Sequence, residues 1–273
     1  MATSVRATRA GRGLRGWVGD NQRLTGILLR TMSIVVLLLV WEWYGSDPDH
    51  FATPPPSDVF PAMWDGITSG RLIEATLGTL TTVFTGVGIS IVLGVALGLA
   101  IALFPWARNT IDPLIDAAYA MPVTMLIPVI GVYTGLDFRG RVFIVITYVL
   151  LVIVMSTATG VRDVPRDLME TGRAFGLRGR ALWRAVVLPS ASSHIASGVA
   201  TGVARGMRGA VTAELLLIAS DLGALILESG AILDTRAMLA AIVWTLLMGY
   251  VLYSGALAVE RRALRWRSIG HGA

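Results

Sequence analysis

Residues 77–103 include no charged side chain, and the run is longer than the ~20 apolar residues that cross the hydrocarbon core of a bilayer. Five further stretches reach that length with some allowance, at 24–44, 113–134, 142–160, 195–219 and 237–259; prolines break the third of the six and two arginines the fifth. Composition points the same way. The 273 residues are 54% hydrophobic and 15% charged, with a mean hydropathy of +0.67, whereas soluble domains carry about a quarter charged residues. The expected fold is an all-α integral membrane protein of about six transmembrane helices.

Arginine placement gives an independent topology, because cytoplasmic loops are enriched in basic residues. With the N-terminus inside, seventeen of the 23 basic residues lie in inner segments, from Arg6 to Arg30, at Arg108, from Arg162 to Arg184 and from Arg261 to Arg267. The outer segments hold Arg71, Arg139, Arg141 and Arg236, and Arg205 and Arg208 fall inside the fifth span. Both termini are therefore expected in the cytoplasm. The chain reads as a basic arm at 1–23, a first membrane helix and outer loop at 24–52, a core at 53–260, and a tail at 261–273. No small-residue cleavage site follows the first apolar run, so that helix is expected to be retained.

Several chemistries are excluded by residues the chain lacks. It has no cysteine, hence no thiolate nucleophile and no Cys-ligated metal. His50, His194 and His271 are scattered, without the spacings of metal sites, so neither metal nor cofactor is expected. Lysine is absent too, and a phosphate-binding loop of the G-x-x-x-x-G-K-[ST] kind cannot form. If ATP drives this protein, another chain binds it. The basicity (pI ≈ 10.2) follows membrane sidedness rather than an aromatic-interleaved patch, which argues against nucleic acid as a partner.

Two loops carry local signals. After Thr53, a proline run leads into a short helix that Ser57 or Asp58 can cap, with Phe60, Met63 and Trp64 dipping into lipid or packing on the protein. On the inner side, residues 162–189 include ETGRAFGLRGRALWRAVVLP. Asp163 and Asp167 can cap a helix through Leu168, Met169 and Phe175; Gly176 permits a sharp turn; a second short helix follows through Leu182, Trp183 and Leu188, and Pro189 starts the next element. The result is a compact inner knob, apolar on one side and arginine-rich on the other.

This segment resembles the E-A-A-x-x-x-G-x(9)-I-x-L-P signature of ABC-importer permeases, with Glu170, Gly176, Leu188 and Pro189 at the matching positions. TPPPSDVF is similar to the P-S-P-x-x-V opening of the nitrate/sulfonate/taurine permease family, and AVTAELLLIASDLGALI to its V-x-A-E-L-L stretch, which puts Glu214 at the family's glutamate. The resemblance implies a type I importer permease of a bacterial inner membrane: one of two pore subunits, here expected to be identical, driven by two separate ATPase subunits and fed by an extracytoplasmic binding protein. It implies coupling to the ATPase through Glu170, Gly172, Ala174, Phe175, Gly176, Arg178, Leu182, Trp183, Leu188 and Pro189. Thr171 and Gly172 stand where the signature has two alanines, and a glycine there is expected to weaken the first helix of the knob by ~1 kcal/mol.

Inside the fifth span, Arg205 and Arg208 share neighbouring parts of one helix face. Cations at that depth need a wet cavity or a partner. One reading pairs them with acids on other helices or has them snorkel to the inner surface; the other has them attract a small oxyanion as it crosses. Glu214, nine residues from Arg205, is a poor partner for it, and reads as a structural anchor, either alone or with a share in the substrate pathway. His194, at the membrane edge of the knob, fits either a comfortable interfacial position or a proton sensor. The glycines at 94, 98, 198, 202 and 206 suit close helix packing. The functional expectation is the permease subunit of an ATP-driven importer for a sulfonate, taurine, nitrate or carboxylate. The alternative is a secondary transporter driven by an ion gradient, whose usual internal repeat is not seen; a membrane enzyme lacks any nucleophile–base pair.

Overall fold

The structure, a computed structural model, describes residues 22–47 and 52–264, with backbone alone at 22–24, 105, 107–109, 112 and 116. Most of the basic arm, His50, His271, Arg265 and Arg267 lie outside the described residues, as does the side chain of Arg108. Every regular element among the described residues is helical. Among the described residues four helices are long and apolar enough to cross a membrane singly, and two bent pairs bring the number to six if each pair is one span.

The chain divides into two units, 1–61 and 62–273. The first holds α1 (Gln22–Gly45) and the start of α2 (Pro56–Thr68). Most of α1 is exposed and apolar all round, as expected of a helix solvated by lipid. Its C-terminal end is tied to the proline run: Trp41 Nε1 donates to the Pro54 carbonyl at 3.1 Å, and the Glu42 carboxylate accepts from the Ser57 N–H at 3.1 Å and the Ser57 hydroxyl at 2.7 Å. Ser57 is thus a donor to Glu42 rather than a cap. An acid at the end of one helix satisfies an orphan N–H in the first turn of the next.

The second unit is built around α6 (Phe138–Arg162), which lies between α3 (Arg71–Leu103) and α9 (Leu188–Leu216). Both partners present glycines four residues apart. Cβ atoms at Gly94 and Gly98 would lie 2.8 Å from Ile153 and 2.6 Å from Thr157; at Gly198 and Gly206 they would lie 2.5 Å from Ser156 and 2.7 Å from Val87. Small residues let helices approach where lipid supplies no hydrophobic drive, so the expected packing role of these glycines is what the bundle displays. Val145, Val149 and Ile153 of α6 are fully buried between the two. Met63 of α2 packs on this core, whereas Phe60 and Trp64 are exposed.

The third span is broken rather than kinked. α4 (Pro105–Ala120) stops at Met121, which is extended (φ −73°, ψ 132°) as the residue before a proline must be. A 3₁₀ turn (Val123–Leu126) then leads into α5 (Ile127–Thr134), with an 86° bend between the halves. Pro128 sits in the first turn of α5 and so starts that helix instead of breaking it.

α7 (Arg166–Ala174) and α8 (Gly179–Leu182) form the knob expected at residues 162–189. Pro189 sits in the first turn of α9, as expected, but no break precedes it: α8 runs through a π turn (Trp183–Val187) into α9, and Leu188 N–H bonds back to Trp183 across the wider turn, which makes room for the proline ring. Beyond α9 the chain bends by 46° into α10 (Asp221–Ala231), a short helix between the fifth and sixth spans, and then enters α11 (Thr235–Ala263), where the Asp234 carboxylate caps the N–H of Ala237 at 3.0 Å.

Candidate functional site: an inner knob, a buried glutamate and two membrane arginines

The knob is held together by its least promising residue. Gly172 is buried, and a Cβ there would lie 2.7 Å from Leu182 Cδ1 and 3.1 Å from Val186 Cγ2. The glycine that departs from the signature is therefore the contact point at which α7 crosses α8, and its cost in helix propensity is offset by that approach. The predicted caps are not formed: no side chain caps α7, Asp167 lies within its first turn, and Asp163 ends α6. Gly176 has φ +82° and turns the chain as expected, with the Leu177 N–H returning to the Gly172 carbonyl at 3.0 Å. Nothing lies within 4 Å of a Cβ at Gly176, so a side chain there meets a conformational penalty and no clash within the chain.

Around this pivot the other knob residues divide by exposure. Leu182 is buried, Trp183 and Pro189 are half-buried, and Glu170, Ala174, Arg178 and Leu188 are exposed. Phe175 is 81% exposed at the turn, with Arg173, Arg178 and Arg180 exposed around it.

Near the opposite end of α9, Glu214 has no exposed surface. Its Oε2 accepts from the Thr79 hydroxyl at 3.0 Å and from the Gly223 N–H at 3.1 Å, while the Leu222 N–H donates to Thr79 Oγ1 at 3.4 Å. Oε1 accepts no hydrogen bond among the described residues. One carboxyl group thus joins α3, the end of α9 and the start of α10. Beside it, Arg141 of α6 pairs with Asp221, whose φ of +51° marks a strained start to α10. Sequence reading finds Glu214 but misses Arg141 with Asp221, because nothing local announces a pair separated by 80 positions.

The two arginines part company. Arg205 Nη2 donates to the Tyr119 hydroxyl, and its guanidinium carbon lies 4.8 Å from the centre of that ring. A phenol from α4 thus stands where one of the readings placed an acid, and neither Arg205 nor Arg208 makes an ion pair among the described residues. Tyr119 also lines a cavity of about 340 Å³ with Ser156, Thr159, His194 and Ser197. His194 Nε2 stands 3.6 Å from an Asp163 carboxylate oxygen, an exposed pair at the end of α6. Arg208 is exposed and lines a separate groove between α9 and α11.

Residues 90–265 match the model of the binding-protein-dependent transport system inner membrane component family. The chain belongs to that family. It is an ABC-importer permease subunit, a multi-pass membrane component of a transport system. Among its relatives, a riboflavin transport system permease protein of Chloroflexus aurantiacus is 28% identical, with 87% of this chain and 89% of the relative covered. The taurine transport system permease protein of Escherichia coli is 25% identical (88% and 90% covered), and a putative aliphatic sulfonates transport permease protein of the same organism is 30% identical (80% and 83%). The fold is similar to that of a chain of the MetNI methionine ABC transporter, solved in inward-facing conformations, with a TM-score of 0.62 at 17% identity over 74% of this chain and 97% of that one.

Proposed function

We propose that this permease forms one half of a pore for a small anion of the sulfonate, taurine, nitrate or carboxylate type. A second copy of the same chain supplies the other half, two ATPase subunits grip the inner knob, and an extracytoplasmic binding protein delivers the substrate. In this reading the arm at 1–23, the knob at 162–189 and the tail at 261–273 face the cytoplasm of a bacterial cell, and the core at 53–260 encloses the path. The chain itself hydrolyses no ATP.

The observation that carries the anion is the state of the two arginines. A guanidinium within a membrane helix is expensive unless it is paired or faces water. Arg205 is held by a neutral phenol and Arg208 by no described residue, so both keep their full charge available. A guanidinium matches the forked oxygens of a sulfonate or carboxylate. Tyr119 can release Arg205 without leaving a buried counter-charge behind, which keeps the attraction modest enough for the anion to leave. Glu214 contributes by fixing the bend beyond α9 and so the line of the path.

The test is uptake by the reconstituted complex with its ATPase and binding protein. Arg205→Ala is expected to lower uptake at least about tenfold, the loss of one charge-assisted contact, in a complex that still assembles and hydrolyses ATP. Unchanged uptake in both Arg205→Ala and Arg208→Ala, or failure of either to assemble, removes the pathway role. Sidedness has its own measurement in this cysteine-free chain. A cysteine at Ser69 is expected to react with an impermeant thiol reagent from outside intact cells, and one at Ala174 only after the membrane is opened; the reverse pattern inverts the topology.

A further inference from the structure

The groove between α9 and α11 encloses about 630 Å³, within the range of about 300–1,000 Å³ that takes an organic ligand rather than a bare inorganic ion. Both of its walls lie away from the helix ends, at Arg208 in Leu188–Leu216 and Tyr250 in Thr235–Ala263. An unpaired guanidinium at such a depth does not face lipid cheaply, so a wet, ligand-accepting cavity is the environment that suits it.

The donors in this groove are few. Thr212 and Thr245 spend their hydroxyl protons on carbonyls of their own helices, at 2.7 Å each. Arg208 and the phenols of Tyr250 and Tyr253 are not engaged by any described residue, and Tyr250 is 69% exposed. This set suits a single oxyanion head. Thr201 adds one further hydroxyl; the rest of the wall is apolar, with Met207, Leu246 and Gly249 prominent, and no carboxylate lines it. A zwitterion would find nothing there to pair with its ammonium group, and nitrate would leave the apolar wall unused.

We infer that the α9–α11 groove is a binding site for an organic monoanion with an apolar, preferably aromatic, body: its sulfonate or carboxylate head on Arg208, its body between Tyr250 and the Met207–Leu246 wall. This rests on the anion-pore reading above and narrows it.

The experiment is equilibrium binding of labelled benzenesulfonate, taurine and nitrate to the purified permease–ATPase complex in nanodiscs, with the binding protein omitted and protein-free nanodiscs subtracted. Benzenesulfonate is expected to bind at least about tenfold more tightly than the other two, the size of one aromatic contact. That advantage is expected to vanish in Gly249→Leu, which fills the groove, and in Tyr250→Ala, which removes an exposed ring and leaves the core intact. A Cβ at Gly249 lies 3.5 Å from Met207 Cγ, an ordinary contact, so the bundle accommodates a side chain there. Equal binding of the three anions overturns the inference, and so does a benzenesulfonate preference untouched by both variants. If anion uptake still depends on Arg205 in either case, the pore reading survives its loss. If the wild-type complex imports none of the three anions, both fall together.

Discussion

Replacing Gly223 by valine is expected to leave no assembled permease in the membrane, whereas the same change at Gly88 is expected to be close to neutral. The two glycines differ in what surrounds them. A Cβ at Gly88 meets nothing within 4 Å. At Gly223 it would lie 2.4 Å from the Glu214 Cβ and 2.8 Å from the Glu214 carbonyl carbon, a backbone atom that cannot rotate away. Relief requires α10 to lift off α9. That movement pulls the Gly223 N–H away from Glu214 and breaks the chain of bonds from Glu214 through Thr79 to Leu222. Each buried polar group left unpaired costs about 1–3 kcal/mol, and overpacking adds about 1–3 kcal/mol. Together these rival the whole stability of a domain, about 5–15 kcal/mol. Size-exclusion profiles of detergent extracts decide the matter. A monodisperse Gly223→Val peak of wild-type height would mean that the glutamate knot does not hold the bundle, and a lost Gly88→Val peak would mean that any valine in these helices is toxic to assembly.

The knot also marks where sequence reading stops. Spans were legible because each is long and nearly free of charge, a property of consecutive residues, and the helices at 71–103, 138–162 and 235–263 enclose the stretches expected of them. The knob was legible for the same reason: Gly176 had to turn the chain and does so with a left-handed backbone. What stayed hidden depends on residues far apart. Gly172 looked like a weakness in α7 because its value lies in Leu182, which the α7 sequence does not contain. Pro189 marked the start of α9, but the π turn that joins α9 to α8 without a break was not foreseen. For Arg205 an acid on another helix, the inner surface and a crossing anion all stayed open, and its neighbour is Tyr119, on the near side of the break that the prolines of the third span did announce. Local rules predict where helices lie; which helix a buried polar group faces is decided by packing.

Phe175 offers the clearest test of the knob. At 81% exposure it contributes almost nothing to packing within the chain, so Phe175→Ala is expected to leave insertion, extraction and thermal stability of the permease unchanged. A large exposed aromatic ring at the tip of a turn, with Arg173, Arg178 and Arg180 exposed in the same segment, has the composition of an interface anchor, where aromatic and arginine side chains carry most of the binding energy. Truncating such an anchor costs about 2 kcal/mol or more, roughly a thirtyfold loss of affinity. The ATPase is therefore expected to dissociate from Phe175→Ala on purification, and ATP-driven uptake to fall with it. Gly172→Leu supplies the contrast, because it drives a side chain into Leu182 and collapses the knob itself, so stability and ATPase binding are expected to fall together. If Phe175→Ala retains its ATPase at wild-type stoichiometry and transports normally, the grip lies elsewhere on the inner face, and the exposed ring has to be explained by lipid rather than by a protein partner.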